Sequence, residues 1–156
     1  LWKGILYFLL KNPEYRYLIG PVTISGKYTE VSKELIMRFI QENHYSHELA
    51  KYVIPRSKYQ VHSEEPGVQV MLDAAQKDIS VLDKMIGDIE PSSDKLPVLL
   101  KKYISLNAKI IGFNMCLDGL LILDIFDVPM KTIESLSKEI NDDTILSRFS
   151  SDSVEL

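Results

Sequence analysis

The chain has one cysteine, Cys116, among 156 residues, so it holds no internal disulfide; such sparing use of cysteine fits a reducing compartment. It has no apolar run of the ~20 residues that cross a bilayer. Residues 117–126 come nearest, and Asp118 and Asp124 interrupt them. Leu1-Trp2 opens into amphipathic sequence rather than a secretory signal, and in mid-pattern, as a part cut from a longer chain would. Excess charge is small. A net charge of -4 argues weakly against nucleic acid as the main partner. The spacing of residues yields no catalytic triad, no phosphate-binding glycine loop and no metal cluster.

What is there is ordinary in bulk, with 46% apolar and 26% charged residues, and fits one domain able to bury roughly 70% of its unfolded surface. The organising stretch is 15–25. It reads as two β-type runs separated by Gly20-Pro21, between helical patterns at 1–10 and 31–40. Proline removes a ladder donor and glycine leaves the backbone open, so a splayed or bulged strand is expected there, where a ligand can approach the main chain.

Asn12-Pro13 stops the first helix and Thr29 caps the second. Residues 50–67 read as an irregular segment with short strands at Val53-Ile54 and Tyr59-Gln60-Val61, and stand equally as a mobile loop over a site or as a surface connection. A long helical stripe from Leu72 breaks at Asp78 and ends at Gly87 as C-cap. Pro97 opens the next helix and Asn107 closes it in a left-handed conformation. Residues 108–113 and 120–126 form an antiparallel hairpin, and Pro129 opens the last helix. The order is that of an α/β or α+β protein with few strands, residues 1–141 folded and 142–156 a polar, disordered tail.

Candidate chemistry is sparse. His44 and His47 lack thiolate partners and suit a helix end better than a metal. Asp88/Glu90 and Glu64/Glu65 read as solvated acids before they read as acid–base pairs. Cys116 has no cationic neighbour to activate it. Asp118 stands where a hairpin aims a carboxylate at a cleft, although an ordinary turn aspartate is the commoner reading.

Leu1-Trp2-Lys3-Gly4-Ile5 followed by residues 12–25, Asn-Pro-Glu-Tyr-Arg-Tyr-Leu-Ile-Gly-Pro-Val-Thr-Ile-Ser, resembles the C-terminal half of the hemolysin-like acyltransferases. These GNAT-fold proteins are related to the N-acyltransferases of ornithine- and glycine-lipid synthesis. The likeness continues at Asp88-Ile89-Glu90-Pro91, at residues 96–103, at Gly112-Phe113-Asn114 and at Leu117-Asp118-Gly119-Leu120. It implies a mixed, GNAT-type sheet flanked by helices, its N-terminal strands missing. Gly20, Pro21, Val22 and Ser25 would line the donor channel, with Asn114 and Asp118 on the substrate. No bound cofactor or metal is implied; the co-substrate is an acyl carrier protein or CoA thioester.

The activity implied is transfer of a fatty acyl group to an amino-acid amine in bacterial membrane-lipid synthesis, in the cytoplasm or at the inner membrane face. The family's acidic and arginine-bearing strand precedes the matched region, so the catalytic groups are expected upstream and the isolated chain is expected to transfer little or no acyl group. Asn107 stands where the family favours glycine, and the connection at 114–117 is shorter than usual. Two alternatives stay open: a non-catalytic acyl-carrier or lipid-binding module, and a domain that completes its sheet as a homodimer. Trp2, Ile5, Phe8 and Leu9 read as core before they read as a membrane contact.

Overall fold

The computed structural model describes residues 2–24, 27–59, 66–114 and 118–150. Helix α1 (Trp2–Lys11) leads through Asn12-Pro13 into strand β1 (Tyr17–Thr23), and α2 (Glu30–Asn43) follows. A short α3 (His47–Ala50) precedes an irregular stretch; α4 (Pro66–Ala75), α5 (Ile79–Ile89) and α6 (Val98–Ser105) come next. The hairpin of β2 (Lys109–Phe113) and β3 (Asp118–Asp124) then feeds α7 (Met130–Ile140). The fold is α+β, a three-stranded sheet of order β1-β3-β2 flanked by helices. Both strand pairs are antiparallel. A single parallel bridge, Tyr45 to Ile110, adds the α2–α3 connection to the β2 edge.

The Gly-Pro step does not break β1. All seven residues pair with β3, from Tyr17 opposite Asp124 to Thr23 opposite Asp118, with Gly20 opposite Leu121 and Pro21 opposite Leu120. The expected interruption is thus corrected to a continuous edge strand, and the ladder's alternation explains how. Ile125 N–H donates to the Arg16 carbonyl at 3.1 Å, one step beyond the strand. Bonded and non-bonded pairs alternate in an antiparallel ladder. Leu18, Gly20 and Val22 therefore bond to β3, while the main chain of Tyr17, Ile19, Pro21 and Thr23 faces the open side. Pro21 lacks its donor where no strand asks for one.

Leu18, Gly20 and Val22 face the helices, and Tyr17, Ile19, Pro21 and Thr23 face outward. On the helical side α2 contributes Leu35, Ile36, Met37, Phe39 and Ile40, all at most 1% exposed. Each such side chain contributes about 1.5–3 kcal/mol. Leu82 and Ile86 of α5, Leu100 of α6, and Ile133 and Leu136 of α7 complete the cluster.

Thr29 caps α2, accepting from Ser32 N–H at 3.4 Å, and Glu90 braces the cap. The Glu90 carboxylate, 6% exposed, accepts from Thr29 N–H at 3.0 Å and from the Thr29 hydroxyl at 2.8 Å. Burial pushes the Glu90 carboxyl up, but hydrogen bonds from Ser32 and Thr29 outweigh it and hold it below its ordinary value. A negative charge at a helix N-terminus also complements the dipole. Glu90 is therefore a buried brace rather than a solvated acid. Gly87, expected to end α5, lies inside it; the helix runs to Ile89 with Glu90 as C-cap.

Residues 142–150, expected in a disordered tail, form helical turns at Asp143–Leu146 and Ser147–Ser150. They dock on α1. Asp142 accepts from Tyr7 Oη at 3.0 Å and pairs with Lys11 at 3.0 Å. Arg148 donates to the carbonyl of Leu9, which the end of α1 leaves without a helical partner, and to those of Pro13 (3.1 Å) and Tyr15 (2.6 Å) in the connection to β1. A polar composition concealed this because its charges are spent on the main chain of a distant element. Residues 151–156 lie outside the described residues.

Two outcomes follow for stability. Glu90→Gln should cost about 1–3 kcal/mol in denaturant unfolding, since it removes a charged acceptor from buried donors. With its folded pKa lowered, wild-type Glu90 stabilises the fold above the unfolded value of about 4.3, and that stability goes as pH falls further; Glu90→Gln should flatten this acid limb of the melting curve. Arg148→Ala should cost about 1–3 kcal/mol by releasing the carbonyls at the α1 terminus, read by the same unfolding measurement.

Candidate functional site

The outward sheet face carries a cavity of about 370 Å³. Its floor is Pro21 and Thr23 of β1 with Asp118, Gly119 and Leu120 of β3; Gly112, Phe113 and Asn114 close one side. The opposite wall is Val53, Ile54, Pro55 and Arg56. Those four belong to the irregular stretch, which is thereby a wall over a cavity. No strand forms at Val53-Ile54. The stretch attaches by a bridge between Lys58 and Asn114, with Tyr59 N–H 3.5 Å from the Phe113 carbonyl.

Gly112 lets this wall come close. A Cβ there would stand 3.2 Å from Val53 Cγ1 and 3.8 Å from Pro55 Cγ, so any side chain would push the wall away. The β2 register also shifts between Ile110 and Gly112, a bulge that re-aims the strand end carrying Phe113 and Asn114. Asn114 N–H donates to the Asp118 carbonyl at 2.9 Å, fixing the two residues side by side. The Asn114 Oδ1 atom is buried and has no hydrogen-bond partner among the described residues. A buried acceptor without a donor carries a cost of about 1–3 kcal/mol, which a ligand N–H can remove.

Of the residues singled out in the sequence, Pro21, Asn114 and Asp118 therefore meet at one cavity. Val22 does not: it is 4% exposed and packs in the core, over Gly119, where a Cβ would lie 3.3 Å from it. Gly20 faces the same helical side, opposite Leu121. Ser25 lies outside the described residues, as do Cys116, Glu64/Glu65 and the Gln60-Val61 part of the second expected short strand. Thr23, Arg56 and the apolar wall of Val53 and Ile54 were not singled out in the sequence. The one signal for the wall was the length of the irregular stretch.

Arg56 and Asp118 are the titratable residues of the cavity lining. The arrangement can pair an ammonium with the Asp118 carboxylate and hold an aliphatic segment between Ile54 and Leu120; Asn114 Oδ1, which is out of solvent contact, receives a ligand N–H only when its side chain turns toward the cavity. No family model, curated protein or solved structure matches the chain.

Two other cavities bracket the sheet. One of about 590 Å³ lies by Lys11, Arg16, Phe126 and Arg148, whose cations are engaged by protein groups. Arg16, for example, forks onto Asp124 through Nε at 3.0 Å and Nη2 at 2.7 Å. The other, about 420 Å³, sits on the outward face near Tyr17, Tyr45, Ile122 and Asp124. Among the described residues no group of three or more histidine, cysteine or acidic side chains is placed to hold a metal. Among the described residues no helix is long and apolar enough to cross a membrane. His44 sits 5.6 Å from the Phe39 ring, and its carbonyl accepts from Ile110 N–H at 2.7 Å. Burial, with Lys109 nearby, holds its pKa below the ordinary histidine value.

A half-buried histidine held neutral stabilises the fold above its unfolded pKa of about 6.5 and withdraws that stability as pH falls below it. The melting temperature should therefore drop between about pH 7 and pH 5, and His44→Gln should flatten that drop. At the cavity, Gly112→Val should cost about 1–3 kcal/mol by overpacking against Val53. Thermal unfolding reads both.

Proposed function

We propose that the outward cavity takes the acyl–pantetheine arm of an acyl carrier protein or CoA thioester. The chain would then be the donor-binding part of an N-acyltransferase that acylates an amino-acid amine for membrane lipids. The observation that supports this reading is the convergence of Pro21, Asn114 and Asp118 on one cavity, beside a strand edge with no partner strand among the described residues. A pantetheine arm is extended and bears amides, so it bonds to an open edge as an added strand does. Thr23 supplies the main-chain groups, Asn114 Oδ1 accepts an amide N–H, and Val53, Ile54 and Leu120 hold the apolar start of the acyl chain.

In the reaction, an amine nitrogen attacks the thioester carbonyl, the C–N bond forms, the C–S bond breaks and the thiol leaves with a proton. Asp118 positions the acceptor by pairing with its ammonium, which gives up one proton to solvent before the nitrogen attacks. A product with a fatty chain suits peripheral contact with the inner membrane face.

Titration with dodecanoyl-pantetheine tests the reading. Calorimetry should register binding, with amide shifts at Thr23, Asn114 and Asp118 in the NMR spectrum. Asn114→Ala should weaken binding about 5- to 10-fold, the loss of one hydrogen bond worth roughly 1 kcal/mol. Absence of both heat and shifts at saturating thioester would sink the proposal. Binding without acylation of glycine or ornithine would favour the acyl-binding module.

A further inference from the structure

The two edges of the sheet are treated differently. The β2 edge is covered: Ile110 bonds to the His44 carbonyl and accepts from Ser46 N–H at 3.0 Å. The β1 edge has no partner strand among the described residues. Tyr17, Ile19 and Thr23 direct N–H and C=O outward there, and Tyr17 and Ile19 are 49% and 57% exposed. Natural edges are blunted by charges, prolines or bulges. No charged residue occurs from Tyr17 to Thr23, and Pro21 is the one blunting device in that run.

Pro21 divides the edge. Any ladder that includes it sets a ring carbon against a partner carbonyl. The Tyr17–Ile19 half carries no such obstacle. We infer that a second copy of this chain pairs on that half, antiparallel and two-fold symmetric, with Tyr17 opposite Ile19 of the other copy and Leu18 opposite Leu18.

This register uses both N–H and both C=O groups of Tyr17 and Ile19 in each copy, four bonds in all. It places Tyr17 beside Ile19 of the other copy on the outward face, an aromatic–β-branched pair of the kind that stabilises sheets. It also ends where it should. The next outward position, Pro21, meets Tyr15 of the other copy, whose N–H is held by Asn12 at 3.0 Å and whose carbonyl is held by Arg148 at 2.6 Å. A longer ladder is blocked from both strands. The product is a continuous six-stranded sheet. A second copy is favoured over an unrelated strand because its own Tyr15, already held by Asn12 and Arg148, falls opposite Pro21, and because the two-fold axis sets Tyr17 beside Ile19 twice. Pro21 and Thr23 stay outside the ladder, at the cavity.

Sedimentation equilibrium on the 156-residue chain tests this. A dimer with a dissociation constant of roughly 1–100 μM is expected of a small interface. Ile19→Lys, at an exposed position, should raise that constant about tenfold or more by setting a charge in the ladder. Thr23→Lys, on the same edge but outside the register, should leave it within about twofold. Circular dichroism establishes that both variants fold; should Ile19→Lys not fold, Tyr17→Lys replaces it. Amide exchange in the wild type should slow at Tyr17 and Ile19 as concentration rises, and not at Thr23. A monomer at about 0.5 mM, or a dimer insensitive to lysine at 19 and 17, overturns the inference. Dodecanoyl-pantetheine binding by a monomeric Ile19→Lys variant would keep the cavity reading intact whatever the dimer result.

Discussion

The pairing of β1 with β3 sets the position of the sheet's core residues and of the floor of the outward cavity. β3 is the central strand, bonded to β1 on one side and β2 on the other. Because the ladder alternates, one main-chain bond at Arg16–Ile125 determines which β1 residues face solvent and which face β3. The same alternation sends Leu18 and Val22 into the helical core and brings Pro21 and Thr23 to the cavity. A one-residue slip would bury Pro21 against β3, cost a ladder bond and expose Val22. The burial of Val22 over Gly119, where no Cβ fits without displacement, is the packing constraint against that slip.

Around this ribbon, polar groups secure element ends rather than chemistry. Glu90 serves the start of α2, Asp142 and Arg148 serve α1, and Asp124 holds Arg16 while capping the turn at Ile125–Asp127. Each satisfies main-chain or charged groups that burial would otherwise make expensive. The cavity is the contrast. There a buried carboxamide oxygen has no donor among the described residues, and apolar side chains stand open to solvent, Ile54 at 93% exposure.

Much of the element order was legible from local chemistry. Thr29 and Asp78 cap the helices they precede, Asn107 adopts φ 63° where a left-handed residue was expected, and the 108–126 region forms the antiparallel hairpin. These are short-range effects of side chains on their own backbone. The errors share a different cause. Gly87 did not end its helix, which runs two residues further and closes where Glu90 N–H donates to the Ile86 carbonyl and the Glu90 side chain is held by the distant Thr29. Residues 142–150 were read as a loose tail because their partners, Tyr7, Lys11 and Tyr15, lie more than a hundred residues away.

Composition and spacing thus determined the class of fold and the caps, since these depend on neighbours along the chain. The edge position of β1, the side to which Pro21 turns its missing donor and the wall of 53–56 over Gly112 were decided only in three dimensions. Those features depend on which strand pairs with which, in what register, and no local preference of Gly-Pro distinguishes a broken central strand from an intact edge strand.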